Sequence, residues 1–203
     1  MTLFIDACAR KASRTRALGE YLLQKLGDEV QILRLCEETL PRTEEALLTA
    51  RDGACASEDF SGEAFRLARQ FSAADTAVIA APFWDLSFPA VLKDYLEAVS
   101  VTGLTFRYSE EGIPVSLCRL KRLYYVTTSG GPIFDASFSF GYVSALAKGY
   151  FGAEETAFFS AQGLDLRDGD PEAVLAAARR EMDLAPALGM TRGGGHADGP
   201  GTV

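Results

Sequence analysis

The sequence predicts an α/β fold in which helices cover both faces of one parallel five-stranded sheet. Five short apolar runs lie along the chain, and each is followed by turn or capping residues. The segments between them place apolar residues three and four positions apart, which is the spacing of a helix with one buried face. Regular alternation of strands with helices is typical of doubly wound sheets, because each helix carries the chain back to begin a parallel strand.

Each predicted strand is a continuous apolar run, as expected for strands that are covered on both faces. The strands are predicted at Leu3–Ile5, Val30–Leu35, Ala77–Ala81, Leu123–Thr128 and Thr156–Ser160. The helices are predicted at Thr15–Leu26, Glu58–Phe71, Val91–Val99, Ser139–Phe151 and Pro171–Leu184. The last helix has the clearest start, because Asp170 is a good N-cap and Pro171 suits the first helical position. For five parallel strands, the order 2-1-3-4-5 is expected.

Three parts of the chain fall outside this alternation. Residues 36–57 are polar and rich in turn residues, which predicts an irregular excursion. In residues 103–113, apolar residues alternate with polar ones before a glycine turn, so a small hairpin is predicted. The glycine-rich residues 189–203 are expected to form a flexible tail after a single domain that spans residues 1–188.

The composition argues against several classes of protein. A net charge of −8 and a pI near 4.8 argue against a nucleic-acid partner, since phosphate backbones require a basic surface. No apolar run is long enough for a signal peptide or a membrane span, so no membrane association is expected. The four cysteines are far apart and form no C-x-x-C pair, which favours reduced thiols in a cytoplasmic protein.

The chain has one histidine, His196, and it lies in the glycine-rich tail. A Ser-His-Asp or Cys-His site is therefore not expected, and neither is a metal site with histidine ligands. If the protein is an enzyme, we expect a bound organic cofactor to carry the chemistry.

The first candidate site lies between the first strand and the first helix, in residues 8–16. Ser13 and Thr15 supply hydroxyls, and the start of the helix supplies unpaired N–H groups that bind phosphate. Cations at a helix N-terminus are unfavourable by roughly 0.3–1 kcal/mol each, yet the segment has four: Arg10, Lys11, Arg14 and Arg16. This pattern favours a bound anion. The alternative is that Ser13 is only an N-cap and that the cations are solvated.

The second candidate site is the aromatic turn of residues 82–89, directly after the third strand. Loops at this position are usually polar, because their backbone needs water. Phe83 and Trp84 are predicted to flank a planar ring, while the backbone N–H groups of Trp84 to Leu86 bond to its polar edge. The alternative is that these aromatics cap the core and that the end of the turn begins the next helix.

The third candidate site follows the fourth strand, in residues 127–132. Gly130 and Gly131 allow the backbone to approach a ligand closely, although an ordinary turn would look the same. The three loops follow strands one, three and four, whose carboxyl ends meet at the switch point of a doubly wound sheet. A phosphate site, an aromatic site and a close backbone approach together suit FMN better than ATP or NAD. Neither a P-loop nor a Rossmann glycine pattern occurs.

Three segments carry a family pattern: APFWDLSFPAVLKDY at 81–95, GLTFRYSEEG at 103–112 and TSGG at 128–131. Together they resemble the FMN-dependent NADH azoreductases and the related NAD(P)H:quinone oxidoreductases of flavodoxin-like fold. The similarity runs from residue 3 to about residue 185. It implies a flavodoxin-like sheet of five parallel strands with helices on both faces.

The resemblance also implies where FMN binds. The first loop is expected to hold the phosphate, the second to lie along the isoalloxazine ring, and the third to contact the other edge of that ring. The residues implied, from the phosphate end onward, are Ser13, Arg14, Thr15, Pro82, Phe83, Trp84, Asp85, Ser129, Gly130 and Gly131. Trp84 and Tyr108 are expected to line the pocket in which acceptors stack over the flavin.

Members of the family are typically homodimers with both active sites at the subunit interface, so the helix Val91–Val99 is expected to turn its Leu/Tyr face toward a partner. Two positions depart from the family. Asp85 stands where azoreductases commonly have Asn, and a carboxylate beside the ring is expected to lower the flavin potential. An early serine of the phosphate loop is replaced by Ala7 or Cys8, which leaves the basic residues to compensate.

The activity implied is transfer of a hydride from NADH or NADPH to FMN, followed by two-electron reduction of a small quinone, azo or nitro acceptor. Such transfer depends on stacking and alignment more than on a protein acid or base, in agreement with the lack of histidines. The alternatives are a flavodoxin-type electron carrier and a non-enzymatic flavin-binding module. The predicted hairpin at 103–113 counts against an electron carrier.

Overall fold

The computed structural model describes residues 1–185, and a parallel five-stranded sheet lies at its centre. The strands are β1 (Thr2–Asp6), β2 (Val30–Arg34), β3 (Thr76–Ala80), β4 (Phe106–Tyr108), β5 (Pro114–Ser116), β6 (Arg122–Thr128) and β7 (Glu155–Ala161). The helices are α1 (Arg14–Leu26), α2 (Glu45–Ser57), α3 (Arg66–Ser72), α4 (Ala90–Val99), α5 (Tyr142–Gly149) and α6 (Pro171–Leu184).

The sheet has the strand order β2-β1-β3-β6-β7, and all four pairings are parallel. With the two hairpin strands left out of the count, this is the predicted order 2-1-3-4-5, so the predicted fold is confirmed. The chain crosses to β2 on one side of β1 and to β3 on the other. The carboxyl ends of β1 and β3 therefore flank a crevice, which is the usual ligand position in such sheets.

Neighbouring residues of the central strands pack on opposite faces of the sheet, as the pleat requires. Ile5 and Ile79 pack with α3, α4 and α5, whereas Phe4 and Val78 pack with α1 and α6. Helix α1 lies close to the sheet because Gly19 has no side chain: a Cβ there would be 2.9 Å from the Phe4 ring. The β1–α1 loop is thereby held directly above the end of β1.

The structure corrects three predictions about individual elements. Residues 36–57 are not irregular, because they contain α2, which buries only Ala54 and has no side-chain N-cap to signal it. The helix predicted from Glu58 starts later: Glu58 has a φ of 54° and ends α2, and α3 begins at Arg66. The expectation that every strand is covered on both faces is wrong for β2, which lies at the sheet edge and buries only Leu33.

The predicted hairpin is confirmed, with β4 and β5 antiparallel and Phe106 paired with Ser116. The predicted orientation of α4 is wrong: Leu92, Tyr95 and Leu96 are buried in this chain's own core, so that face is not available to a partner.

The predicted domain end at residue 188 and the predicted tail lie outside the described residues. Among residues 1–185, no helix has the length and hydropathy needed to span a membrane.

Candidate functional site

The three predicted loops meet in one cavity of about 170 Å³ at the carboxyl edge of the sheet. Loops after β1, β3 and β6 all contribute to its wall, and Asp165 joins them from the segment after β7. The lining residues are Cys8, Ala9, Arg10, Ala12, Ser13, Arg14, Thr15, Pro82, Phe83, Trp84, Thr128, Ser129, Gly130 and Asp165. Eight of the ten residues predicted to bind a cofactor are thus brought together; Asp85 and Gly131 are not in this wall.

The start of α1 presents unpaired donors to the cavity. Ser13 is the N-cap, its oxygen accepts the Arg16 N–H at 3.2 Å, and its side chain also lies within hydrogen-bond reach of the Cys8 thiol. The backbone N–H groups of Arg14 and Thr15 find no acceptor among residues 1–185. Unpaired N–H groups at the positive end of a 13-residue helix form an anion site.

Arg16 organises the β1–α1 loop rather than facing the cavity. Its Nε donates to the carboxylate of Asp6, a residue only 1% exposed at the end of β1. Its remaining N–H groups donate to Arg10 O at 3.1 Å, Lys11 O at 2.8 Å and Cys8 O at 2.8 Å. Burial lowers the pKa of Arg16, but the hydrogen bond and charge of Asp6 outweigh it and raise the pKa overall.

Two other residues of the first loop tie it to distant parts of the chain. The Arg14 guanidinium donates to Asp165 Oδ1 at 2.8 Å and to Leu164 O at 3.3 Å. The Thr15 and Thr128 hydroxyls are hydrogen-bonded at 2.6 Å and lie in the buried floor between α1 and β6. Arg14 and Thr15 therefore lie at the predicted place, but much of their side-chain bonding capacity is already used.

Cys8 lines the cavity but is not a reactive thiol at neutral pH. Its Sγ donates to Ala80 O at 3.6 Å, and the side chain is 3% exposed. Burial, above all, raises the pKa of the Cys8 thiol to about 12, because desolvation disfavours the thiolate. Cys8 acts in the cavity as a small apolar wall.

The aromatic turn folds back on itself next to the cavity. Trp84 N–H donates to Ser87 O at 3.0 Å, and Ser87 N–H donates to Trp84 O at 2.8 Å. Asp85 and Leu86 at its tip have φ values of 50° and 67°, as in a type I′ turn. Left-handed backbone is costly for a leucine, so the local geometry is strained, as is common at ligand sites.

The geometry of this turn changes the predicted pattern of backbone donors. Phe83 N–H is bonded to Thr128 O at 3.0 Å and Trp84 N–H to Ser87 O, so neither is available to a ligand. The prediction that Trp84 N–H bonds to the ring is therefore wrong. The N–H groups of Asp85 and Leu86 have no acceptor among the described residues and project at the tip of the turn. Those two are the donors that the turn offers.

The glycine loop after β6 lies against the segment that follows β7. Ser129 Oγ donates to Gly131 O at 2.6 Å, and Asp165 N–H donates to Gly130 O at 3.0 Å. A Cβ on Gly130 would lie 2.5 Å from Asp165 Oδ2, so glycine is needed for this close approach. Gly131 has open space where a Cβ would be and contributes no wall to the cavity.

A second, larger depression adjoins the aromatic turn. This groove of about 900 Å³ is mainly apolar, and its size falls within the roughly 300–1,000 Å³ of small-molecule sites. Ser87 Oγ donates to Phe138 O at 2.6 Å and joins its two walls. The lining residues are Asp85, Leu86, Ser87, Phe88, Lys93, Ser137, Phe138, Gly141, Tyr142 and Ala145.

Tyr108 lies apart from both depressions. It is half exposed on β4, makes an edge contact with Phe106 at 5.5 Å, and lines neither the cavity nor the groove. Sequence reasoning did not assign site roles to Asp165 or Phe138, and it gave Arg10 a role only as one of four cations beside a bound anion. Asp165 and Phe138 belong to no local motif, and the sequence alone could not distinguish Arg10 from the other three cations as a ligand of the anion.

Residues 1–185 contain no cluster of His, Cys, Asp and Glu suited to a metal ion.

Comparison with known proteins agrees with the family that the sequence resembles. Residues 1–184 match a protein family described as having a flavodoxin-like fold. The FMN-dependent NADH:quinone oxidoreductase 2 of Clostridium acetobutylicum is 36% identical over 188 residues, which cover 85% of this chain and 91% of that protein. The FMN-dependent NADH:quinone oxidoreductase of Clostridium beijerinckii is 30% identical over 87% of this chain and 92% of its own.

A solved structure agrees with these relatives. The crystal structure of an azoreductase from Bacillus anthracis superimposes with a TM-score of 0.76 and 27% sequence identity. The match covers 89% of this chain and 95% of that one. The similarity therefore extends over most of both chains.

Proposed function

This chain belongs to the flavodoxin-like family that includes the FMN-dependent NADH:quinone oxidoreductases and azoreductases, and on that basis we propose that it uses FMN to reduce quinone or azo compounds with NADH. It is an NAD(P)H-dependent FMN oxidoreductase. We further propose hydride transfer as its mechanism and nitroaromatic compounds as additional acceptors.

One observation carries the placement of FMN: unpaired N–H groups, the Ser13 hydroxyl and an aromatic turn all border one cavity. The cavity of about 170 Å³ is smaller than a site for a whole drug-sized ligand, so it suits the phosphate and the polyol chain. The ring would then be held by Phe83 and Trp84, which line the same cavity. The N–H groups of Asp85 and Leu86 supply donors for the polar edge of that ring.

When bound, FMN supplies two-electron transfer between a nicotinamide and an acceptor. The residues of this chain bind and orient the reactants. Trp84, which is 40% exposed, and Phe138, which is 63% exposed, offer flat apolar surfaces beside the turn. The Ser87–Phe138 hydrogen bond connects the aromatic turn to the opposite wall of the groove. Phe138 lines the groove, whereas Trp84 lines the cavity, so a flat quinone or azo compound in the groove would stack on Phe138.

We also propose that the protein acts as a homodimer in the cytoplasm. Large apolar side chains stay exposed in the single chain, among them Leu86 and Phe138 in the groove and Phe134 in the loop after β6. Exposed apolar patches of this kind mark interaction surfaces, and a second copy would cover them. The cytoplasm is supported by the free thiols of all four cysteines. Light scattering on the purified protein measures the oligomeric state directly.

The experiment that tests the function is a visible spectrum of the purified protein with added FMN, then anaerobic NADH, then benzoquinone. We expect a flavin spectrum that NADH bleaches and benzoquinone restores. FMN binding without reduction by either NADH or NADPH would indicate a flavodoxin-type electron carrier instead. A protein that does not bind FMN at all would contradict the proposal.

The Asp85→Asn variant is expected to raise the two-electron potential of bound FMN by about 20–40 mV, since roughly 1–2 kcal/mol of charge repulsion is removed. Asp85 lies at the tip of the turn in the left-handed region, which Asn tolerates, so the backbone is expected to keep its shape. The measurement is an anaerobic reductive titration against a reference dye. Asp94→Asn, an exposed change on α4 outside the cavity and groove, is the control. An unchanged or lower potential in Asp85→Asn would show that this carboxylate does not act on the ring.

A further inference from the structure

We infer that Arg10 is the residue whose charge neutralises the phosphate of FMN, and that the other three cations of the first loop serve other purposes. The inference rests on the proposed function, because it takes FMN as the ligand of the cavity. Sequence alone leaves Arg10, Lys11, Arg14 and Arg16 equivalent. The structure separates them by the partners that each side chain has.

Arg16 makes its ion pair and its hydrogen bonds with the end of β1 and the β1–α1 loop. It pairs with the buried carboxylate of Asp6, and it donates to three backbone carbonyls of the loop, those of Cys8, Arg10 and Lys11. It does not line the cavity. Its charge is balanced by Asp6, so it adds no net charge for a phosphate.

Arg14 lines the cavity, but Asp165 lines it too and pairs with Arg14 at 2.8 Å. The pair is electrically neutral, so it leaves a bound phosphate without a counter-charge. Lys11 lines a different groove on the outer side of α1, shared with Glu20 and Glu172, and does not reach the cavity wall.

Arg10 combines the two properties that the others lack. It lines the cavity, and its side chain has no hydrogen-bond or ion-pair partner among residues 1–185. Its backbone is fixed, because Arg10 O accepts from Arg16 Nη1 at 3.1 Å. Cavity-lining charges are therefore Arg10, Arg14 and Asp165, and the net charge of +1 comes from Arg10.

The chemistry of the ligand calls for such a charge. A phosphate monoester carries about −1.5 to −2 charges at pH 7, and arginine binds phosphate oxygens through two parallel N–H bonds. The N–H groups of Arg14 and Thr15 and the Ser13 hydroxyl donate hydrogen bonds but carry no full charge. Arg10 supplies the missing cation, in a chain whose 28 acidic residues outnumber its 20 basic ones.

The test compares FMN with riboflavin, which is the same flavin without the phosphate, by quenching of flavin fluorescence. Arg10→Gln is expected to raise the Kd for FMN about tenfold and to leave the Kd for riboflavin unchanged. Lys11→Gln removes an equal charge one residue away and is expected to change the Kd for FMN by less than about twofold. Arg10→Lys is expected to restore most of the FMN affinity, because the positive charge is kept.

The dependence on salt gives a second measurement that does not need riboflavin binding. Raising KCl from about 50 to 500 mM is expected to weaken FMN binding more in the wild type than in Arg10→Gln, since screening acts on the charge pair. Equal loss of both flavins, or an unchanged Kd for FMN in Arg10→Gln, would overturn the inference while leaving the proposed function intact. A wild-type protein that does not bind FMN would instead overturn the proposed function.

Discussion

Arg16→Ala is expected to lower the free energy of unfolding of the FMN-free protein by about 3–5 kcal/mol, because it leaves a buried carboxylate without a counter-charge. Asp6 is 1% exposed at the end of β1, and Arg16 supplies the only ion pair it has within residues 1–185. The variant also frees the three loop carbonyls that Arg16 bonds. The measurement is equilibrium unfolding in urea.

Two further variants separate the buried charge from the loss of packing. Arg119→Ala breaks an ion pair with Asp75 in which the arginine is 70% exposed, and it is expected to cost less than about 1 kcal/mol. Asp6→Asn combined with Arg16→Ala is expected to recover part of the loss, because no unpaired charge remains while the Asn oxygen still accepts from Cys8 N–H. If Arg16→Ala costs no more than Arg119→Ala, the Asp6–Arg16 pair does not organise the loop.

Ser13→Asp is expected to weaken FMN binding more than about 100-fold while changing the free energy of unfolding by less than about 0.5 kcal/mol. Aspartate is as good an N-cap as serine, so the carboxylate can accept the Arg16 N–H that Ser13 accepts now. At the same position it places a negative charge against the phosphate and removes a hydroxyl donor. FMN affinity is thereby expected to fall while the free energy of unfolding stays nearly unchanged.

Ser13→Gly is the matched control, because glycine keeps most of the capping and lacks both the hydroxyl and the charge. It is expected to weaken FMN binding by about tenfold, which corresponds to one charge-assisted hydrogen bond. The Kd values come from fluorescence titration and the stabilities from urea unfolding. If Ser13→Asp binds FMN as the wild type does, the phosphate does not lie at the start of α1.

Several elements were predictable because their signals are local. The apolar runs of β1, β3 and β6 and the Asp170-Pro171 start of α6 are each contained in a few neighbouring residues. Helix α2 was missed for the converse reason: it buries one alanine, so almost no periodicity marks it. The start of α3 was misplaced because Phe60 and Ala64 continue the helical spacing of Leu67 and Phe71 backwards, although the chain forms α3 only from Arg66.

The sequence by itself determined the succession of strands and helices, the three loops that meet at the sheet edge, and the class of cofactor that those loops suit. Periodicity, capping and turn residues act over a few positions, which is why they can be read without a structure. Only the tertiary structure decided which cations have an ion-pair partner and which backbone N–H groups lack an acceptor. Arg14 meets Asp165 across 151 residues, and the Trp84 N–H is used by its own turn. Such pairings depend on distances between parts of the chain that no local pattern encodes.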